Sequence, residues 1–216
     1  MGMVGILHSL KRTVKMTNKK GKIFMSIGII FIFISLGFTV FNIALQKNAD
    51  SVSKNVVETL KTNVIPSESL DTFEDDEQSV TIDGNIYIGI IDIPSLDISL
   101  PVMGEFTYEG LKYSSCRYKG SFDDDNVIIS AHNYKNQFGK LEDITGGEIV
   151  TFTDVNGNVY KYKTTQFEVI KGYDVEAMDY GDWDLTLFTC DYSGRNRITI
   201  RCERTYEDYY AFYNDL

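Results

Sequence analysis

The sequence predicts an all-β domain, a closed or nearly closed barrel of seven to eight strands with short helices, preceded by a single N-terminal transmembrane helix. Two observations carry this reading. The run from Ile23 to Gln46 contains no charged residue. From Gly84 onward, short apolar runs rich in Ile, Val, Thr, Tyr and Phe recur at regular spacing, in a chain with 17 Gly and only 3 Pro.

At ~1.5 Å per residue, a helix over 23–46 spans a hydrocarbon core of ~30 Å. Lys11, Arg12, Lys15, Lys19, Lys20 and Lys22 lie on its N-terminal side, and no Asp or Glu precedes Asp50. The positive-inside rule therefore keeps residues 1–22 in the cytoplasm and sends the remainder outside. A cleaved signal peptide fits less well: its apolar region is normally only ~7–15 residues, and Lys47 stands where a small residue is wanted before Ala49. Residues 50–216 hold 14 basic against 31 acidic side chains, a net of −17. Such a domain repels nucleic acid and anionic lipid alike. Residues 47–81 are polar, end in the acidic run Phe73 to Gln78, and read as a stalk. Within it, a helical start at Ser53 to Lys61 would place Val56, Val57 and Leu60 on one side. Residues 82–216 form the extracellular domain.

Its expected strands are 85–93, 98–103, 126–131, 148–155, 158–168, 185–190 and 197–203. Asn156-Gly157 is suited to a type I′ hairpin turn. Short helical interruptions are expected near 107–113 and 138–144, and a terminal helix over 206–216.

Three cysteines fall on the exported side: Cys116, Cys190 and Cys202. An odd number leaves at least one thiol unpaired, which flags a reactive cysteine. A thiol becomes a nucleophile when a neighbour takes its proton, usually a histidine. His8 is cytoplasmic in this topology, so His132, at the end of the run Val127 to Ala131, is the external candidate. Cys190 ends Leu185-Thr186-Leu187-Phe188-Thr189, and Arg197 opens the next strand after a six-residue turn with a Ser-Gly signal. Antiparallel pairing across that turn would make Cys190 and Arg197 cross-strand neighbours. Alternation sends Cys202 to the opposite face from Arg197, as a buried inert thiol. Arg195 falls in the turn and Arg201 lies two pairs further from the rim.

These residues resemble the sortase family. Thr186-Leu187-Phe188-Thr189-Cys190 is similar to its TLxTC motif, Arg197 to the arginine opening the following strand, and Ala131-His132-Asn133 to its histidine segment. Ile88 to Pro94 and Ile98 to Val102 resemble its first two strands. The resemblance covers roughly residues 84–204 and suggests a class B- or D-like member. It implies a sortase-type barrel and a membrane-anchored cysteine transpeptidase of Gram-positive bacteria. Its partners would be surface proteins or pilins bearing LPxTG-like signals, with an amine acceptor from a peptidoglycan precursor or a pilin lysine. It implies catalytic roles for Cys190, His132 and Arg197 and substrate contacts by Thr189 and Asn133. Anchoring to the cell wall is preferred over pilin polymerisation; a peptide-binding barrel without catalysis and a simple cysteine peptidase are the rival readings. No cofactor is expected. Some sortases bind Ca²⁺, but Asp123-Asp124-Asp125 and the acidic residues between Asp174 and Asp184 lack EF-hand spacing and read as solvated surface. Cys116 and Cys202 read as independent thiols in preference to a disulfide.

Overall fold

A computed structural model describes residues 3–63 and 78–206 of the chain. It divides into two compact units, residues 1–47 and 48–216. Helix α1 (Met3–Asn63) runs through the first unit, and its apolar side chains from Ile23 to Leu45 are exposed. The stretch is long and apolar enough to cross a membrane. The acidic residues 74–77 and the terminal helix expected beyond Tyr206 lie outside the described residues.

The second unit is a closed barrel. Its strands are β1 (Val80–Ile82), β2 (Asn85–Ile93), β3 (Ile98–Met103), β4 (Ser115–Lys119), β5 (Val127–Ser130), β6 (Ile149–Asp154), β7 (Val159–Lys171), β8 (Leu185–Cys190) and β9 (Asn196–Arg204). They follow the order β1-β2-β3-β4-β5-β8-β9-β7-β6, and β2 also pairs with β6, which closes eight strands into a ring. Gly89 sits at that closure: a Cβ there would overlap the Thr153 carbonyl oxygen and the Phe152 ring. Alternate residues of each strand point inward, so Ile91, Leu100, Ile129, Phe152, Leu187 and Ile200 meet in one core.

Strands β1 and β4 and a short helix escaped the sequence pattern. β4 is short and charged, and it touches β3 through only the pairs Val102↔Ser115 and Met103↔Cys116. Helix α2 (Val175–Asp179) is too brief to display a helical period; the Asp174 carboxylate caps it by accepting the Ala177 N–H. The hairpin turns also differ from expectation. The two-residue turn with positive φ at both positions is Asp83-Gly84, between β1 and β2, at 50° and 80°. At Asn156-Gly157 only the glycine is left-handed (φ 90°). Gly157 N–H donates to the Asp154 carbonyl and Asp154 N–H to Asn158, as in a turn with a glycine bulge. The Asp154 carboxylate, accepting the N–H groups of Asn156 and Asn158, favours this longer loop.

The outward face of β2–β4 is covered by the end of α1. Val56, Val57 and Leu60 pack with Tyr87, Ile90, Met103, Leu111 and Cys116. Part of the segment read as a stalk is thus bound to the barrel, through the very residues that the sequence aligned. Leu60 is 1% exposed, so Leu60→Ala is expected to cost about 3 kcal/mol in urea unfolding. A fragment beginning at Gln78 should melt below one beginning at Asn48; equal melting would show that the helix end adds nothing.

Candidate active site

Two neighbouring parallel strands set the frame. β5 and β8 pair Val127↔Leu185 through Ser130↔Phe188. His132 and Cys190 each follow two residues later, so they leave adjacent strands at the same rim and on the same face. Two further bonds extend the alignment. Ala131 N–H donates to the Phe188 carbonyl at 3.3 Å, and the Thr189 hydroxyl to the Ala131 carbonyl at 2.9 Å. Thr189, expected to touch substrate, is 3% exposed and ties the residue before His132 to the residue before Cys190. Asn133 is half-buried beside the histidine.

β9 supplies the third candidate. Cys190 stands directly opposite Arg197 in the antiparallel register. Thr189, Leu187 and Leu185 face Ile198, Ile200 and Cys202 toward the core, leaving Cys190, Phe188 and Thr186 with Arg197, Thr199 and Arg201 on the outward face. The connecting turn is braced by Asp191, whose carboxylate accepts Ser193 Oγ and Asn196 Nδ2. Arg197 Nη1 donates to the Gly194 and Asn196 carbonyls at 3.1 and 3.2 Å. Its Nε and Nη2 make no hydrogen bond among the described residues, so they can still meet a substrate oxygen.

Arg201 does different work. It is 2% exposed and donates to Glu168, to Thr186 Oγ1, and to the Ala177 and Met178 carbonyls. These bonds fasten α2 against the outward face, where Met178 joins Ile128, Ile170 and Phe188. Arg201→Met should lower stability by about 3 kcal/mol, because Glu168 and two carbonyls lose a partly or fully buried partner; a change under ~1 kcal/mol in denaturant unfolding would contradict this account.

The imidazole of His132 lies 4.9 Å from the Tyr134 ring, tilted by 28°. Burial, and secondarily the Lys112 ammonium, hold its pKa below the ordinary 6.5. Its main-chain N–H donates to Gln137 Oε1 at 3.0 Å. Sequence reasoning missed both Lys112 and Gln137: one lies in the 3-10 turn Gly110–Lys112, the other in a loop, and neither belongs to a strand pattern.

Cys116 and Cys202 are free and buried on opposite faces of the sheet. Burial raises the Cys116 thiol to about 11 and pushes Cys202 up as well. Such thiols are poor nucleophiles, and Cys190 is the cysteine with a partly accessible position. The acidic groups are largely committed elsewhere. Asp125 pairs with Arg204 at 2.7 Å, Asp179 with Lys119 at 2.6 Å, and Asp123 accepts the Tyr160 hydroxyl. Among the described residues no cluster of His, Cys, Asp and Glu has the arrangement of a metal site.

The family model for the sortase domain matches residues 91–205. The chain belongs to the sortase family of cysteine transpeptidases. Similar solved structures include a Clostridium perfringens sortase D5 transpeptidase (17% identity, TM-score 0.55, covering 72% of this chain and 99% of that one). A Streptococcus agalactiae sortase C1 matches at 24% identity and TM-score 0.52, over 74% of this chain and 89% of that one. Listeria monocytogenes sortase A matches at 22% and 0.51, over 55% and 87%. At these identities the likeness is one of fold. No curated protein sequence matches the chain.

The depressed imidazole has a testable consequence. As pH falls through 6.5 toward the lower folded pKa, the unfolded chain takes up the proton first, so His132 makes stability decline with acidification. Lys112→Met should raise the His132 titration midpoint, read by NMR, while leaving it below 6.5 because burial persists. An unmoved midpoint would remove Lys112 from the electrostatics of the site.

Proposed function

We propose that the chain is a membrane-anchored sortase that cleaves an LPxTG-like sorting signal between Thr and Gly and transfers the acyl group to an amine of a peptidoglycan precursor. The observation that carries the proposal is the single rim shared by Cys190, its cross-strand partner Arg197, and His132 at the end of the neighbouring parallel strand. In this reading His132, neutral near pH 7, takes the Cys190 proton as sulfur attacks the Thr carbonyl carbon. The tetrahedral intermediate expels the Gly nitrogen, which receives that proton from the imidazolium. A thioester remains. The incoming amine attacks it, loses a proton to His132, and the sulfur departs and is reprotonated.

Arg197 would hold the substrate backbone and the developing oxyanion through Nε and Nη2, a role for which a permanently charged planar fork is suited. Thr189 would act through position, keeping His132 and Cys190 in step. The basic residues ahead of Ile23 and the acidic composition after Asp50 support a single-pass anchor with the barrel outside the cell. A pilin lysine is the alternative acceptor, and the hydrolytic reaction is the outcome when water replaces the amine.

The test offers the full chain in detergent a set of LPxTG-like peptides, with and without amine acceptors. Wild type should cleave and, with amine, ligate. Cys190→Ala should do neither, His132→Ala should lower kcat by roughly 10²–10⁴, and Arg197→Ala by roughly 10²–10³. Cleavage by Cys190→Ala would sink the mechanism. A folded wild type that binds such peptides and cleaves none would make the barrel a binding module, and cleavage without ligation would make it a peptidase.

A further inference from the structure

We propose that Gln137 is a positioning residue for the reaction: its buried carboxamide links the His132 main chain to the Gly110–Lys112 turn and so fixes where the imidazole stands. The inference rests on the assignment of proton transfer to His132.

The imidazole makes no hydrogen bond among the described residues, and its ring contact is the stack on half-buried Tyr134. Its placement is therefore inherited from the backbone on either side. Upstream, Ala131 is fixed by Phe188 and Thr189. Downstream, the chain leaves β5 and curls back. Phe138 N–H donates to the His132 carbonyl at 3.0 Å, and the N–H groups of Gln137 and Gly139 donate to the Tyr134 carbonyl at 2.9 and 3.0 Å. The His132 N–H is left over by this pattern, and a side chain satisfies it, Gln137 Oε1.

That bond determines the rest. With Oε1 facing the His132 N–H, Nε2 points the other way and donates to the Leu111 carbonyl at 3.4 Å. Gln137 is 3% exposed, so water cannot replace either partner at low cost. Glutamine alone among the common side chains reaches this far with an uncharged acceptor at one corner and a donor at the other. Leu111 in turn belongs to the apolar cluster under α1, and its neighbour is Lys112, whose ammonium helps keep the imidazole neutral. The carboxamide thus keys the histidine to the turn that carries Lys112.

The experiment uses the full chain in detergent micelles with three variants, read by transpeptidation kinetics and the His132 ring resonances. Gln137→Met preserves size and removes both bonds; kcat is expected to fall roughly 10- to 100-fold, with KM changed less than about threefold and the ring resonances displaced. Gln137→Glu retains an acceptor for the His132 N–H but loses the donor to the Leu111 carbonyl and brings a buried carboxylate near the imidazole, so its kcat near neutral pH should fall as in the methionine variant. Gln137→Asn, one methylene short, should resemble the methionine variant and serves if the latter fails to fold. Wild-type kcat and unshifted ring resonances in a folded Met, Asn or Glu variant would overturn the proposal. If the wild type itself proves inactive on every sorting peptide, the function assigned above fails, and the ring resonances alone still decide whether Gln137 positions His132.

Discussion

Parallel pairing of β5 with β8 is the constraint on which the site depends. Antiparallel neighbours would put His132 and Cys190 at opposite rims; parallel ones put both at the same rim. Parallel strands require a long crossover, and here it is everything from His132 to Asp184, which includes β6, β7 and α2. The register then has to be held at the open end, where strand bonding stops. Thr189 does this with one hydroxyl, bonding across a sequence separation of 58 residues.

The outward face of the sheet carries the candidate site, and parts of it next to the rim are covered. The end of α1 and Leu111 cover β2 to β4. Met178 covers Ile128 and Phe188, and Arg201 keeps it there by occupying the carbonyls of α2. Arg201 and Arg197 share a face and differ in fate. The first lies at the sheet centre beneath α2 and is consumed by structure; the second, four register pairs nearer the rim, retains free donors.

That contrast was legible in the sequence, because a strand's alternation and a turn's length fix which arginine stands opposite Cys190. The same reasoning placed Cys202 inside and matched the limits of β2, β3 and β8 residue for residue. It failed where chemistry does not follow period. β4 is held by its pairing with β3 and β5 and by a turn, not by an apolar run of its own. Gln137 looks like any loop glutamine until the fold shows which main-chain N–H has been left unpaired. The Asn-Gly turn was misjudged because Asp154, three residues before Gly157, offers the backbone a competing set of acceptors. Val56, Val57 and Leu60 were visible as a stripe, but a stripe does not name the surface that it covers.

A net charge of −17 after residue 49 raises a physical problem for the proposed proton shuttle. A carboxylate beside His132 would stabilise the imidazolium and raise its pKa, leaving less neutral base to take the thiol proton. The fold directs its carboxylates elsewhere. Asp125, Glu168 and Asp179 are paired with Arg204, Arg201 and Lys119. Asp191, the residue next to Cys190, is turned into its own loop, where Ser193 and Asn196 hold its pKa down. The charge that does influence the imidazole is the cation of Lys112. In the proposed mechanism, reactivity at this rim would accordingly rest on a neutral, half-buried base held by main-chain bonds, and on the distances those bonds maintain.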